Sequence, residues 1–260
     1  MKLPIYQVDA FTSKLFGGNP AAIVPLDEWL PDEVLQNIAA ENNLAETAYF
    51  VTRGDAYHLR WFTPAVEVDL CGHATVASAA VLYECLGYSA PRIDFDSKSG
   101  RLSVTRNGGV YWLDFPSRPP APTQMPAGIL EAMGGSPVET LSARDAVLVY
   151  GSQQEVAALR PDFARLARSK EFFAVIATAK GDDCDFVSRF FAPLQGIPED
   201  PVTGSAHCEL IPYWTEKLGK TKLRARQISA RGGELFCEMA GDRVRIGGHA
   251  TLYLKGEIYL

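Results

Sequence analysis

Residues 70–86 read LCGHATVASAAVLYECL and carry a single formal charge, Glu84. Small and apolar side chains fall on every side of this stretch, so as a helix it has no face to give to water and has to be enclosed. Gly72, directly after Cys71, marks where it opens. Residues 203–218, TGSAHCELIPYWTEKL, repeat the design: a glycine-led opening, Gly204-Ser205, then a helix with few charges, expected to kink at Pro212. Two helices that both need wrapping call for two wrapping sheets.

Working outward from the helices, the chain repeats itself. Arg60-Trp61-Phe62-Thr63-Pro64 recurs 129 residues later as Arg189-Phe190-Phe191-Ala192-Pro193. Gly72-His73-Ala74 matches Gly204-Ser205-Ala206, and Leu86-Gly87 matches Leu218-Gly219, both at 132. Ser99-Gly100-Arg101-Leu102 aligns with Gly232-Gly233-Glu234-Leu235 at 133. Four matches in one order, about half a chain apart, indicate two copies of one supersecondary unit.

Strand-like runs rich in Val, Ile, Tyr and Phe lie near 3–9, 47–52, 57–62, 92–96, 101–106 and 110–115. Others lie near 147–151, 172–178, 185–191, 224–229, 234–239, 243–247 and 251–259. Pro31-Asp32-Glu33 opens a further helix, its acids facing the helix dipole. The expected fold is α/β (α+β): two similar domains related by a pseudo-twofold, each a curled mixed sheet or barrel around a central buried helix. Residues 116–126, PSRPPAPTQMP, cannot supply a ladder of donors and read as an extended connector. The domains are accordingly 1–116 and 117–260, with the C-terminal strand a candidate to cross over.

The 260 residues hold 25 Lys+Arg against 31 Asp+Glu, a net charge of -6. The basic residues are scattered, which leaves no electrostatic footprint for nucleic acid or an anionic membrane. The five cysteines have no framework spacing, and no apolar run is long enough to span a bilayer. These features point to a cytoplasmic globular protein acting on something small.

Each helix opening offers unpaired N–H groups and a partial positive charge, and together they suit a small carboxylate bound in a cleft between the domains. The bland alternative is that Gly72 and Gly204 end loops while Thr203 or Ser205 caps its helix. Glu46, at an element boundary beside Leu44 and Ala45, is either a partly desolvated general acid/base or a solvated loop acid. Pro201 holds Asp200 extended, toward the cleft or a loop. His73 is a donor to a substrate oxygen or a packing residue, and His207 reads as structural. Cys71-x-His73 and the adjacent His207-Cys208 match no zinc spacing, so no metal is expected. Gly17-Gly18-Asn19 and Gly108-Gly109 lack the spacing and context of a dinucleotide loop.

Seven motifs carry a family resemblance: Val8-Asp9-Ala10-Phe11; Gly18-Asn19-Pro20-Ala21-Ala22; Asn43-Leu44-Ala45-Glu46-Thr47; Arg60-Trp61-Phe62-Thr63-Pro64; Asp69-Leu70-Cys71-Gly72-His73-Ala74-Thr75; Arg189-Phe190-Phe191-Ala192-Pro193; and Glu199-Asp200-Pro201-Val202-Thr203-Gly204-Ser205-Ala206-His207. In that order and over essentially the whole chain, they resemble the PhzF-like phenazine-biosynthesis isomerases. The resemblance implies a diaminopimelate-epimerase-like fold, a homodimer, and a proton shift that needs neither cofactor nor metal. It places the catalytic glutamate at Glu46 and supporting polar residues at His73, Asp200 and Ser205, beside Gly72 and Gly204. In the phenazine-pathway members the implied substrate is trans-2,3-dihydro-3-hydroxyanthranilate. Two other readings stand beside it: a thiol-assisted epimerase or racemase using Cys71, whose counterpart in the second half is Thr203 rather than a thiol, and a non-catalytic metabolite-binding protein.

Overall fold

The computed structural model describes residues 1–260. Its contacts divide the chain into two units, Met1–Asp114 with Gly247–Leu260, and Phe115–Ile246. In chain order the first unit contains β1 (Lys2–Ala10), β2 (Asn19–Leu26), α1 (Asp32–Asn42), β3 (Glu46–Arg53), β4 (Ala56–Phe62), β5 (Glu67–Val68), α2 (Gly72–Cys85), β6 (Arg92–Ser97) and β7 (Gly100–Asn107); β8 (Val110–Pro116) ends it. The second holds β9 (Ala121–Pro122), α3 (Ala127–Met133), β10 (Glu139–Ser142), β11 (Ala146–Val149), α4 (Gln153–Ala158), α5 (Phe163–Leu166), β12 (Val175–Lys180), β13 (Phe186–Ala192), β14 (Ile197–Asp200), α6 (Gly204–Leu218), β15 (Lys222–Gln227) and β16 (Gly233–Ala240). After β17 (Arg243–Gly248), β18 (Ala250–Tyr259) pairs with β1, so the second unit ends at 246 and not at 260.

Strand pairing carries the duplication seen in the sequence. In the first unit β18, β1, β2, β3, β4, β6 and β7 lie side by side, joined in turn by antiparallel, antiparallel, parallel, antiparallel, parallel and antiparallel ladders. In the second unit β9, β10, β11, β12, β13, β15 and β16 follow the same six senses in the same order. The short strands β5 and β14 add to β4 and β13 respectively.

Each sheet has its nearly uncharged helix. His73 through Leu82 of α2 are all buried, and the helix packs on β1, β2, β3, β7 and β18. A fully buried Val or Leu contributes about 1.5–3 kcal/mol, so Val76, Val81 and Leu82 supply most of the apolar gain. Ala74, Ala77, Ala79 and Ala80 let the strands come close. The two hydroxyls on this helix find partners in its own backbone: Thr75 Oγ1 donates to the Cys71 carbonyl (2.5 Å) and Ser78 Oγ to that of Ala74 (2.8 Å). The second helix, α6, runs continuously through Pro212. A proline removes the donor to the carbonyl four residues back, here Cys208. That carbonyl instead accepts the Arg118 N–H at 2.9 Å, from the proline-rich connector.

Two sequence expectations need correction. The connector is not wholly unpaired, because Ala121 and Pro122 form β9 against Ser142 and Leu141. β2 was not expected, since Pro20 and Pro25 argue against a strand with neighbours on both sides. Its pairing with β1 stops at Ile23, so Pro25 forfeits no bond on that side. No helix is long and apolar enough to cross a membrane.

The Arg-x-Phe repeat has a structural cause. Residues two apart on a strand share a face, and the Arg60 guanidinium lies over the Phe62 ring at 5.1 Å, that of Arg189 over Phe191 at 4.9 Å. Each arginine then forks onto one glutamate. Arg60 Nε and Nη2 donate to Glu67 (2.7 and 3.0 Å), and Arg189 Nε and Nη2 donate to Glu199 (2.8 and 2.9 Å). These bidentate pairs fix the short strand that leads into each buried helix. The Arg60 fork holds the Glu67 carboxyl below its ordinary range, against the opposing effect of burial and with help from Lys98. A depressed carboxylate stabilises the fold above its unfolded pKa, and that stability is lost as pH falls through the folded value. Glu67→Gln should therefore be less stable near pH 6, with a shallower loss of urea midpoint between about pH 5 and pH 3. Parallel acid limbs in the two proteins would refute this.

Candidate active site

Glu46 is the first residue of β3 and only 9% exposed, so it is not a solvated loop acid. The chain reaches it from α1 through Asn43, whose left-handed backbone (φ 48°) ends that helix. β3 runs parallel to β2 with Glu46 opposite Ala21. Two residues before Ala21, Asn19 begins β2 and is completely buried. Only glycine fits at the preceding position: Gly18 has φ +63°, and a Cβ there would meet the Ala10 carbonyl oxygen at 2.1 Å. This glycine cluster shapes a strand entry and is not a phosphate loop.

The opening of α2 brings the remaining groups to Glu46. Cys71 occupies the N-cap position without using its side chain to cap, leaving the sulfur available for other contacts. His73, in the first turn, lies between two sets of partners. Its Nε2 is 2.9 Å from Glu46 Oε2, an ion-pair distance without the alignment of a hydrogen bond. Its Nδ1 is 3.2 Å from Asn19 Nδ2 and 3.5 Å from Cys71 Sγ. With the Asn19 amide donating to Nδ1, the ring proton of a neutral His73 sits on Nε2, toward the carboxylate. Burial pulls the His73 pKa down, but Cys71 and Glu46 outweigh it and hold the pKa well above the usual value. Burial pushes the Cys71 thiol up, and Glu46 adds to this. Glu46, Cys71 and His73 each offer a metal-ligand atom, all within 4.8 Å of one another.

The other expected residues gather in the second unit. Asp200 ends β14, and its carboxylate accepts a short hydrogen bond from Thr203 Oγ1. Thr203 is the N-cap of α6 but makes no side-chain cap. Its N–H donates to Gln227 Oε1 (2.8 Å), while Gln227 Nε2 donates to the Asp200 carbonyl (2.8 Å) and to Thr203 Oγ1 (3.2 Å). Gly204 begins the helix, and Ser205 Oγ accepts from Arg144 Nη2 at 3.1 Å. His207 is fully buried, with Nδ1 2.8 Å from the Thr203 carbonyl; burial lowers its pKa to about 4, so it stays neutral. Burial raises the Cys208 thiol to about 12.

Sequence reasoning gave no role to Asn19, Gln227 or Arg144. Asn19 had a signal, an amide inside the apolar run Asn19–Leu26. Gln227 and Arg144 had none, because each acts on residues 24 or more positions away.

A family model described as "Phenazine biosynthesis-like protein" matches residues 8–256. An uncharacterized isomerase of Pseudomonas aeruginosa is 52% identical over 100% of both chains. The crystal structure of a phenazine biosynthesis protein of the PhzF family from Enterococcus faecalis is 48% identical, covers 100% of both chains and has a TM-score of 0.98. A probable proline racemase from Agrobacterium radiobacter, 12% identical, covers 99% of this chain and 93% of that one at a TM-score of 0.64, and so shares the epimerase-like fold alone.

Gln227 is 1% exposed and ties the turn ahead of α6 at both ends, accepting from the Thr203 N–H and donating to the Asp200 carbonyl. Gln227→Leu preserves bulk but leaves the Thr203 N–H without its acceptor, and a buried unmade bond costs about 1–3 kcal/mol. A urea midpoint lowered at constant m is the expected result; an unchanged midpoint would mean that the turn is held by other groups.

Proposed function

The chain belongs to the phenazine biosynthesis-like protein family, and from that premise we propose that it is a cofactor-independent isomerase in which Glu46 moves a proton on a small carboxylate substrate. The observation that carries this reading is the buried Glu46 carboxylate 2.9 Å from His73 Nε2. The carboxylate takes a proton from a substrate carbon, the electron pair left behind shifts along the substrate, and the carboxylic acid returns the proton at another carbon. One group thus serves as base and then as acid. A charged His73 balances the carboxylate in the resting site and stabilises negative charge that develops on a substrate oxygen. To Asp200, Gly204 and Ser205 we give the substrate-holding role that the family resemblance implies. Dihydro-hydroxyanthranilates are the first substrates to test.

A second reading is favoured by one distance, the 3.5 Å between Cys71 Sγ and His73 Nδ1, which gives the imidazole a thiol as well as a carboxylate partner. In a thiol-assisted epimerase, Cys71 would exchange an α-proton. Two observations weigh against it: burial keeps this thiol protonated, and the counterpart residue Thr203 spends its hydroxyl proton on Asp200.

Solvent deuterium separates the two. Under the isomerase reading Glu46→Gln loses incorporation by about a hundredfold or more, while Cys71→Ser keeps most of it; the reverse pattern establishes the epimerase, and rates within tenfold of wild type in both variants remove both. The raised His73 pKa gives a second expectation. Activity should persist through neutral pH and fall only as pH rises past that value, and His73→Gln should be slower with its alkaline limb missing. An alkaline limb kept in His73→Gln would assign it to another group.

A further inference from the structure

We propose that Arg144 is a positioning residue for Ser205: it fills the acceptor side of the Ser205 hydroxyl and leaves the hydroxyl hydrogen to a carboxylate oxygen of the substrate. Such a role rests on the substrate-holding part that the isomerase reading gives to Ser205. Arg144 stands two residues before β11 and is held by a planar fork onto its neighbour. Its Nε donates to Asp145 Oδ1 (3.1 Å) and its Nη2 to Asp145 Oδ2 (2.7 Å), and Asp145 is wholly buried. The guanidinium also lies over the Phe173 ring at 4.6 Å. Nη2 carries two hydrogens, and with one committed to Asp145 the other falls on Ser205 Oγ at 3.1 Å. Glu209, one turn along α6 from Ser205, does not draw the guanidinium away. It accepts the Asp145 N–H (3.3 Å), and burial, reinforced by Asp145, holds its carboxyl well above the usual range and favours the uncharged form.

Ser205 is freed for this task by its surroundings. Hydroxyls inside a helix commonly donate to the carbonyl four residues back, as those of Thr75 and Ser78 do on α2. For Ser205 that carbonyl belongs to Pro201, which accepts from Ser229 Oγ at 2.8 Å instead. The Ser205 hydroxyl hydrogen has no protein acceptor, and Ser205 is only partly buried between the buried Gly204 and Ala206. An oxygen that accepts from a guanidinium donates more strongly through its own hydrogen. The first unit has a parallel. β2 and β11 stand third in their respective sets of ladders, and Asn19 at the start of β2 reaches the His73 ring at 3.2 Å. His73 is the second residue of α2 as Ser205 is of α6, so each unit uses the same strand entry to align the same helix position. In the second unit the aligning group is a cation, which suits an anionic ligand and opposes an ammonium group.

Benzoate, a carboxylate with no proton to be moved, tests the role without reading turnover. ¹⁵N-labelled full-length protein is titrated with benzoate and with benzylammonium while the amide resonances around Gly204 are followed. Benzoate should shift them saturably, and benzylammonium should not. Ser205→Ala should weaken benzoate about tenfold or more, the scale of one hydrogen bond to a charged group. Arg144→Lys keeps the charge beside Asp145 but lacks the planar fork, and should weaken benzoate by a similar factor. The deciding readout is the double variant. In the Ser205→Ala background Arg144→Lys should add less than about twofold, because residues that act through one another are not additive; a merely structural role lets the two losses multiply. Phe173→Leu, at an exposed ring, should weaken benzoate in the same Ser205-dependent way and carries the test where Arg144→Lys does not fold. Losses that multiply, benzoate binding in Arg144→Lys equal to wild type, or unmoved resonances around Gly204 would each overturn the proposal. The expected benzoate pattern in a protein that isomerises no dihydro-hydroxyanthranilate would uphold the role of Arg144 and count against that substrate alone.

Discussion

Ten consecutive residues of α2, His73 to Leu82, are shielded from water, so this helix has no stable place except inside a sheet that surrounds it. Much else follows from that constraint. A helix buried along its length still has an opening turn whose N–H groups lack partners within the helix. In the first unit that turn carries Cys71 and His73 and meets the start of β3, where Glu46 sits, and the start of β2, where Asn19 sits. Glu46, Cys71 and His73 thus lie where the apolar interior of the first unit gives way to the backbone polarity of a helix opening. His73 connects the two, a buried member of the helix whose ring nitrogens reach a carboxylate on one side and an amide and a thiol on the other.

The two units share this plan but make different use of the helix opening. Both hold the approach strand with an arginine–glutamate fork, Arg60 on Glu67 and Arg189 on Glu199. At the opening itself the first unit leaves a histidine among titratable partners, whereas the second closes a hydrogen-bond ring of Thr203, Asp200 and Gln227 and buries a neutral His207 behind it. One opening can carry charge and protons. The other is a turn closed by its own hydrogen bonds.

The duplication was legible in the sequence because it rests on local features: nearly uncharged helices, glycine at their openings, and an Arg-x-Phe pair that shares a strand face. Glu46 and His73 were legible as residue types in motifs, but their contact spans 27 positions and could not be read from spacing. The fork partners Glu67 and Glu199 stand 7 and 10 residues beyond their arginines, at offsets without a helical or strand rule. β2 was hidden by its prolines, which matter only on a side where a neighbour needs their donors. Pro212 lies inside a continuous α6, and Arg118 from the connector donates to the carbonyl that the proline leaves unserved. Each miss is a case of tertiary structure supplying what a local rule assumes is absent.

The return of β18 to β1 bears on how the chain is built. The second unit, Phe115–Ile246, is one continuous piece of polypeptide, whereas the first needs residues 247–260 to complete its sheet. On a ribosome β1 is made long before the strand that covers its edge, which begins at Ala250. An uncovered strand edge invites pairing with another chain. The half that holds Glu46, Cys71 and His73 is therefore completed only after the whole of the second unit has been made, with one edge of β1 uncovered until then.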